Sequence, residues 1–305
     1  MVLSLKQSFK AYVDLTRAHF VLAWPLLFCS GLALAFGEYG GFSWSLTIRA
    51  ALIGMLGFVA GMVLNDYVDR EMDRKDVEFD RLTHYWRPFG RRPIPAGLVS
   101  PRRALVLFMV LVALTVGLIA TLPFPHSLYL LGLMALSYVL EYFYQVRKRN
   151  QSFPLSQLVG RLDFALFPVA GYLCHGGPDR LALLYFVAFY PWVLAHLGVN
   201  DLVDVRNDRA RGMNTVTVLY GQAGTVTWIL AFSILHVLLA VPFLRQVGTI
   251  AEGGFLAGFL VLGVANWLIV KEQSPRAALI ALPLFHLSLV IYSLSLILDA
   301  ALSLQ

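Results

Sequence analysis

Apolar runs about as long as a bilayer is thick recur along this 305-residue chain. They fall at 18–36, 44–65, 104–123, 127–146, 154–174, 181–200, 222–243, 253–270 and 277–298. Each is close to the ~20 residues a helix needs to cross the hydrocarbon core. A backbone in lipid must satisfy its own N–H and C=O groups, so such runs fold as helices. The expected fold class is therefore all-α, a polytopic membrane protein with nine transmembrane helices. With 14% charged residues and 58% hydrophobic ones, an ordinary soluble domain is excluded.

Basic residues test the number of spans. On that count, 21 of the 24 Lys and Arg fall in one set of alternate loops and only Arg49, Arg180 and Arg245 in the other. The excess of positive charge marks the cytoplasmic side, which places the N-terminus inside and the C-terminus outside. This sorting also explains the net charge of +6 without nucleic acid, for which no aromatic-basic repeat is present. The N-terminal segment is charged through Arg17 and shows no small-residue cleavage site before the first run, so the first helix is expected to persist. Cys29 and Cys174 lie in separate spans and imply packing residues, with neither a disulfide framework nor a redox motif.

Against this background, two polar stretches stand out. Residues 65–74 read NDYVDREMDR and residues 200–209 read NDLVDVRNDR, each closing a long apolar run. Ten of the eighteen acidic residues lie in or just after them. On a helix Asp66, Asp69 and Asp73 share one stripe, and Asp201, Asp204 and Asp208 repeat the spacing. Carboxylates so crowded repel one another unless a cation joins them, and all-oxygen donors suit a hard divalent ion. Asn65, Asp66, Asp69, Asp73, Asp201, Asp204 and Asp208 are the candidate metal ligands. The blander reading, interfacial acids balanced by Arg70, Arg74, Arg206 and Arg209, leaves the repeat of the string unexplained. The two stretches are 135 residues apart, four spans, which fits a single domain over 1–305 containing a parallel duplication of spans 1–4 and 5–8 with span 9 added.

Mg²⁺ commonly binds through a few carboxylates together with substrate phosphates, so a diphosphate is the ligand two such stripes fit best. Arg17, Arg91, Arg92, Lys148, Arg149, Arg209 and Arg211 lie on the same side and are candidates for its oxygens, although any one of them also serves as a topology signal. Phe20, Trp24, Tyr67, Tyr138, Tyr142 and Tyr144 lie near the same end of the spans and could shield a developing carbocation, or simply form an interfacial girdle. The histidines show no metal-ligand spacing and read as packing or interfacial residues. No phosphate-binding glycine loop or nucleophile triad is present.

Taken together, these residues resemble the UbiA-type intramembrane prenyltransferases. The NDxxDxxxD signature matches Asn65, Asp66, Asp69 and Asp73, and the second Asp cluster matches Asp201, Asp204 and Asp208. Arg92, Pro93 and Gly97 look like the RPxxxG segment, Gly212 and Thr215 like the GxxT that follows, and Arg17 and Lys148 like the family's basic positions. The resemblance implies a helical bundle around a central chamber with a cytoplasmic cap. It implies Mg²⁺-dependent transfer of an isoprenyl group from its diphosphate to a lipophilic acceptor, either an aromatic quinone precursor or a glyceryl ether lipid precursor, with membrane lipid around it. Asp66, Asp201, Arg17 and Lys148 become the candidate catalytic residues, the acids for the acceptor's proton and the bases for the leaving group. Two other classes compete: a cation-coupled transporter, which would hold its acids nearer mid-membrane, and a polyprenyl-phosphate phosphatase or phosphotransferase.

Overall fold

A computed structural model describes residues 4–78 and 82–303, and every regular element among them is helical. An amphipathic helix α1 (Leu5–Thr16) precedes a 3₁₀ turn at Ala18–Phe20 and the first long helix, α2 (Ala23–Tyr39). Next come α3 (Trp44–Asp73), the short α4 (Leu82–Trp86), α5 (Pro101–Ala120) and α6 (His126–Arg147). The second half holds α7 (Leu162–Tyr172), α8 (Arg180–Val203), the short α9 (Val205–Arg211), α10 (Val216–Leu244), α11 (Thr249–Glu272) and α12 (Pro275–Ser303). Among the described residues eight helices, α2 with the turn before it, α3, α5, α6, α8, α10, α11 and α12, have the length and hydropathy to cross a membrane. The remaining sequence-predicted span, 154–174, is a π turn at Ser156–Gly160 followed by the 11-residue α7, which also contains Pro168. It occupies the fifth position in the order as a broken helix, because Pro168 removes a backbone donor and the chain widens ahead of α7.

Local chemistry sets the helix starts. Ser43 accepts from the Leu46 amide at the head of α3, Ser100 does so from Arg103 ahead of Pro101, and Asp179 from Ala182 at the head of α8. The long helices are apolar on both faces: Leu238, Leu256 and Leu260 are exposed on the outside while Trp192, Phe243 and Phe285 fill the interior. An all-round apolar helix is what lipid on one side and protein on the other require. Helix α8 is the most enclosed, with 67% of its apolar stretch buried against 17% for α5. It packs on α7, α10 and α12, while α2 is wedged between α3, α7 and α12. The α2–α7 approach is backbone on backbone: a Cβ on Gly31 would lie 1.8 Å from the Pro168 carbonyl oxygen, and one on Gly171 1.8 Å from that of Phe28.

Chain direction then gathers the polar ends. The C-terminal ends of α3, α6 and α8 and the beginnings of α2 and α10 meet at one end of the bundle. The 74–103 connection lies over that end, its residues 79–81 being outside the described residues. Asn207 on α9 holds this connection, its Oδ1 accepting from the amides of Val77 and Glu78, each at 2.9 Å.

Candidate active site

The first acidic stretch lies wholly on α3, and Asp66, Asp69 and Asp73 are all buried, as one stripe requires. The second differs from the expected repeat. Helix α8 ends at Val203, Asp204 adopts φ −92° and ψ 10°, and Asp208 lies on the separate α9. The break turns Asp204 and Asp208 toward the first stretch instead of continuing down the α8 axis.

Arg211 ties the two stretches together. Its guanidinium lies 3.0 Å from Asp204 and 3.4 Å from Asp208 on one side, and 2.5 Å from Asp76 and 3.6 Å from Asp73 on the other. Asp73 and Asp76 also pair with Arg92 at 2.7 and 2.8 Å. Lys148 and Arg149 hold Asp69 at 2.7 and 3.0 Å. Asp201 accepts from the Val216 amide at 3.0 Å, at the head of α10, and Asp208 from Thr215 Oγ1 at 2.8 Å. All of these groups except Asp76, Arg149 and Val216 line a cavity of about 1150 Å³.

Of the sequence-predicted residues, Arg17, Trp24, Asn65, Asp69, Asp73, Arg92, Tyr144, Lys148, Asp201, Asp204, Asp208 and Arg211 line that cavity. Asp66 does not, although it was expected as a ligand and a base: it lies behind the wall, clamped by Arg17 at 2.8 Å and Arg87 at 2.8 and 2.9 Å. Arg149 reaches Asp69 from outside the cavity. Arg91 and Arg209 are exposed, and among the described residues only the backbone amide of Arg91 is used, donated to Asp14. Tyr142 is 56% exposed on the outer face of α6, and Tyr67 stacks with the Arg70 guanidinium at 4.5 Å. Phe20 packs behind, 5.1 Å from Trp86, and Tyr138 lines a neighbouring cavity, donating to the Gly57 carbonyl at 3.1 Å. Trp24 stacks on Phe58 at 3.7 Å within the main cavity.

Sequence reasoning passed over several residues. Arg87 is 2% exposed and belongs to the wall; its signal was a second Arg-Pro pair, Arg87-Pro88, five residues before Arg92-Pro93. Arg161, counted only as a loop charge, stacks on Tyr144 at 3.8 Å, pairs with Glu141, and lines both cavities. The second cavity, about 780 Å³ and lined largely by apolar side chains of α3, α6 and α7, shares Phe58, Met62 and Phe164 with the first. His196 and His286 also face the main cavity.

Electrostatics outside the spans follow from crowding. Burial, then the Asp204 and Asp201 carboxylates, push the Asp208 carboxyl well above its usual range. Burial lowers Arg87 to about 10 despite Asp66. For Arg211 burial acts the same way but is outweighed by Asp204, Asp73, Asp208 and Asp76, which raise it. Arg17 holds its place at a backbone cost: it sits at φ 49°, a left-handed conformation rare without glycine, between α1 and the 3₁₀ turn.

An all-helical bundle, apolar inside and out, with a cavity of carboxylates and guanidinium groups at one end, defines an integral membrane protein with a charged site at one end. Comparison with known proteins makes the class specific. A sequence model of the UbiA prenyltransferase family matches residues 22–290, and the chain belongs to that family. It is 30% identical over 285 residues to the 4-hydroxybenzoate octaprenyltransferase of Aeromonas salmonicida, covering 91% of each chain. The fold matches an apo UbiA homolog from Aeropyrum pernix K1 with a TM-score of 0.74 at 21% identity, over 92% of this chain and 98% of that one. It also matches a UbiA homolog from Archaeoglobus fulgidus bound to DMAPP and Mg²⁺, with a TM-score of 0.67 at 17% identity, over 94% and 98%.

Proposed function

We propose that this protein transfers an isoprenyl group from a polyprenyl diphosphate to a lipophilic acceptor, with Mg²⁺ and with release of diphosphate, at the cytoplasmic face. The carrying observation is the span of Arg211, which brings both acidic stretches to one cavity beside Lys148, Arg92 and Arg17. Only a ligand carrying several negative charges, together with a cation, makes use of so many opposed charges. The Aeromonas relative, by its name, acts on 4-hydroxybenzoate, which makes an aromatic acid the first acceptor to test.

The donor set fits Mg²⁺. Asp69, Asp73, Asp201, Asp204 and Asp208 offer hard oxygens, and the crowding that resists ionisation of Asp208 is relieved by a cation. Among the described residues no three acids already stand together as a metal site, and Arg and Lys pair with Asp69, Asp73, Asp204 and Asp208. A metal at these acids therefore displaces basic partners, and Asn65 completes the candidate set. The chemistry Mg²⁺ supplies when bound is neutralisation of the charge that builds on the departing diphosphate.

The protein's own side chains do the rest. Arg92, Lys148 and Arg211, released from carboxylates, are placed to hold phosphate oxygens, together with Arg17, which Asp66 keeps in position alongside Arg87. Trp24, Phe58 and Tyr144 keep water from the allylic carbon and turn ring faces toward developing positive charge. The apolar second cavity leads off from Phe58 and Phe164 and has room for a tail. The basic residues on the same face support a cytoplasmic position for this end. We read the whole chain as one domain, with the two acidic stretches as counterparts in a parallel duplication.

The test uses purified protein in nanodiscs with labelled geranyl diphosphate, Mg²⁺ and 4-hydroxybenzoate. A new carbon–carbon bond to the acceptor is expected. Free geraniol as the sole product identifies a phosphatase instead, and intact donor with cation flux in proteoliposomes identifies a transporter.

A further inference from the structure

We propose that His196 takes the proton the acceptor must lose, and that His286 and Tyr85 carry it out of the cavity. The proposal rests on the transferase reading and adds to it the base and its exit path.

The need for a base follows from balance. The donor's C1–O bond breaks and its electron pair leaves with diphosphate. The acceptor's nucleophilic atom bonds to C1, and the hydrogen that this bond replaces departs as a proton. Asp69, Asp73, Asp204 and Asp208 are poorly placed to receive it, being held by Arg and Lys or, in the loaded site, by the cation, and Asp201, a base on sequence alone, accepts from the Val216 amide at 3.0 Å and belongs to the candidate metal set. Asp66, a base on spacing alone, carries two guanidinium groups.

Two imidazoles stand outside that ionic network. His196, on α8 one turn before Asn200, and His286, on α12, both line the cavity, their Nε2 atoms 3.0 Å apart. His286 Nδ1 lies 2.5 Å from the hydroxyl of Tyr85 on α4, in the connection over the open end. Asn200 is engaged with the His196 carbonyl and Trp86 Nε1, so it belongs to this aromatic wall and not to the acids. The His196 ring is fixed by stacking on Trp192 at 5.2 Å and 5°, and Trp192 in turn donates to Ser288 at 3.0 Å.

Among the described residues His196 Nδ1 has no hydrogen-bond partner. In the tautomer that leaves Nδ1 as acceptor, Nε2–H of His196 points to His286 Nε2, and Nδ1–H of His286 points to the Tyr85 oxygen. A proton arriving at Nδ1 then moves one hydrogen along each link. His196 passes its Nε2 proton to His286, His286 passes its Nδ1 proton to Tyr85, and the half-buried phenol passes its own to water. The titratable or charged groups around His196 are His286, Tyr85 beyond it, and Arg161 across the cavity. Arg161 favours a proton that moves away over one that stays.

The experiment measures prenylated acceptor and free diphosphate together, with geranyl diphosphate, Mg²⁺ and 4-hydroxybenzoate on the full-length protein in nanodiscs. In wild type nearly every diphosphate released is matched by prenylated product. In His196→Gln the ratio of product to diphosphate falls by about tenfold or more, as water captures the cation, and transfer falls on the order of 100-fold. Tyr85→Phe keeps the ring and its packing and lowers the ratio less. Added imidazole restores part of the transfer in His196→Gly. A wild-type ratio in both His196→Gln and Tyr85→Phe overturns the relay, as does a ratio in His196→Gly that imidazole leaves unmoved. A wild-type protein that releases no diphosphate removes the transferase reading itself, an outcome distinct from a loss confined to the variants.

Discussion

Asp66 shows how an acid in a functional motif can serve by holding bases in place. Arg87 is 2% exposed, and Asp66 faces both it and Arg17 at 2.8 Å. Deleting one partner of a buried ion pair leaves the other charge desolvated, which costs about 3–5 kcal/mol. Asp66→Ala should therefore lower the thermal unfolding midpoint in detergent markedly, and Asp66→Leu combined with Arg87→Leu should recover part of the loss. An unshifted midpoint for Asp66→Ala contradicts the clamp. Asp69 and Asp204 face the cavity itself, and Asp69→Ala or Asp204→Ala should reduce turnover by on the order of 1000-fold with the protein still inserted and monodisperse. Near-normal turnover in either variant removes that residue from the metal set.

At the same scale the sequence spoke unevenly. Spacing alone put Asp66, Asp69 and Asp73 on one face of α3. It could not show that the face turns Asp69 and Asp73 inward and Asp66 toward Arg87, because Arg87 arrives from a loop with no periodicity. Tyr142 and Tyr144 are two residues apart on α6, about 200° around the helix, so one meets lipid and the other the cavity. A lone Arg or Lys beside a membrane carries a topological meaning and a chemical one, and only contacts separate Arg211, buried between the two acidic stretches, from the exposed Arg209.

Among the elements, α2 and α7 make the tightest approach. A side chain at Gly31 or Gly171 would start 1.8 Å from a carbonyl oxygen of the facing helix. Gly31→Ala and Gly171→Ala should each force the pair apart and destabilise by about 1–3 kcal/mol or more, read as a lower unfolding midpoint. Gly117, with nothing near its Cβ position, is the control and should tolerate alanine. The bilayer made the long helices legible, since any stretch that crosses it must be apolar for a set length. The break at Asp204 was not legible. NDLVDVRNDR contains no glycine or proline to mark an end, and it is the fit to Arg211 and the Asn207 tether that turns the chain there.

On the scale of the whole molecule, the lopsided distribution of Lys and Arg predicts orientation. With Cys29 and Cys174 left in place, one buried and the other half-buried, Lys75→Cys should react with a membrane-impermeant thiol reagent only after the inner face is opened. Arg245→Cys should react on intact cells, and the reverse pattern would falsify the proposed sidedness. The contacts that built the His196–His286–Tyr85 chain join α8, α12 and α4, segments up to 201 residues apart. No local pattern announces them, which is why those histidines read as packing.

Before any ligand arrives, Asp69, Asp73, Asp204 and Asp208 in the cavity already have basic partners. A divalent cation entering alone must evict Arg211 or Lys148 and leave it stranded, while an anion entering alone strands the carboxylates. Arriving as a pair, each supplies the partner the other has removed. Calorimetric titration should accordingly show weak uptake of Mg²⁺ or of inorganic diphosphate by itself and strong synergy between the two, so that chelating the metal also ejects the anion.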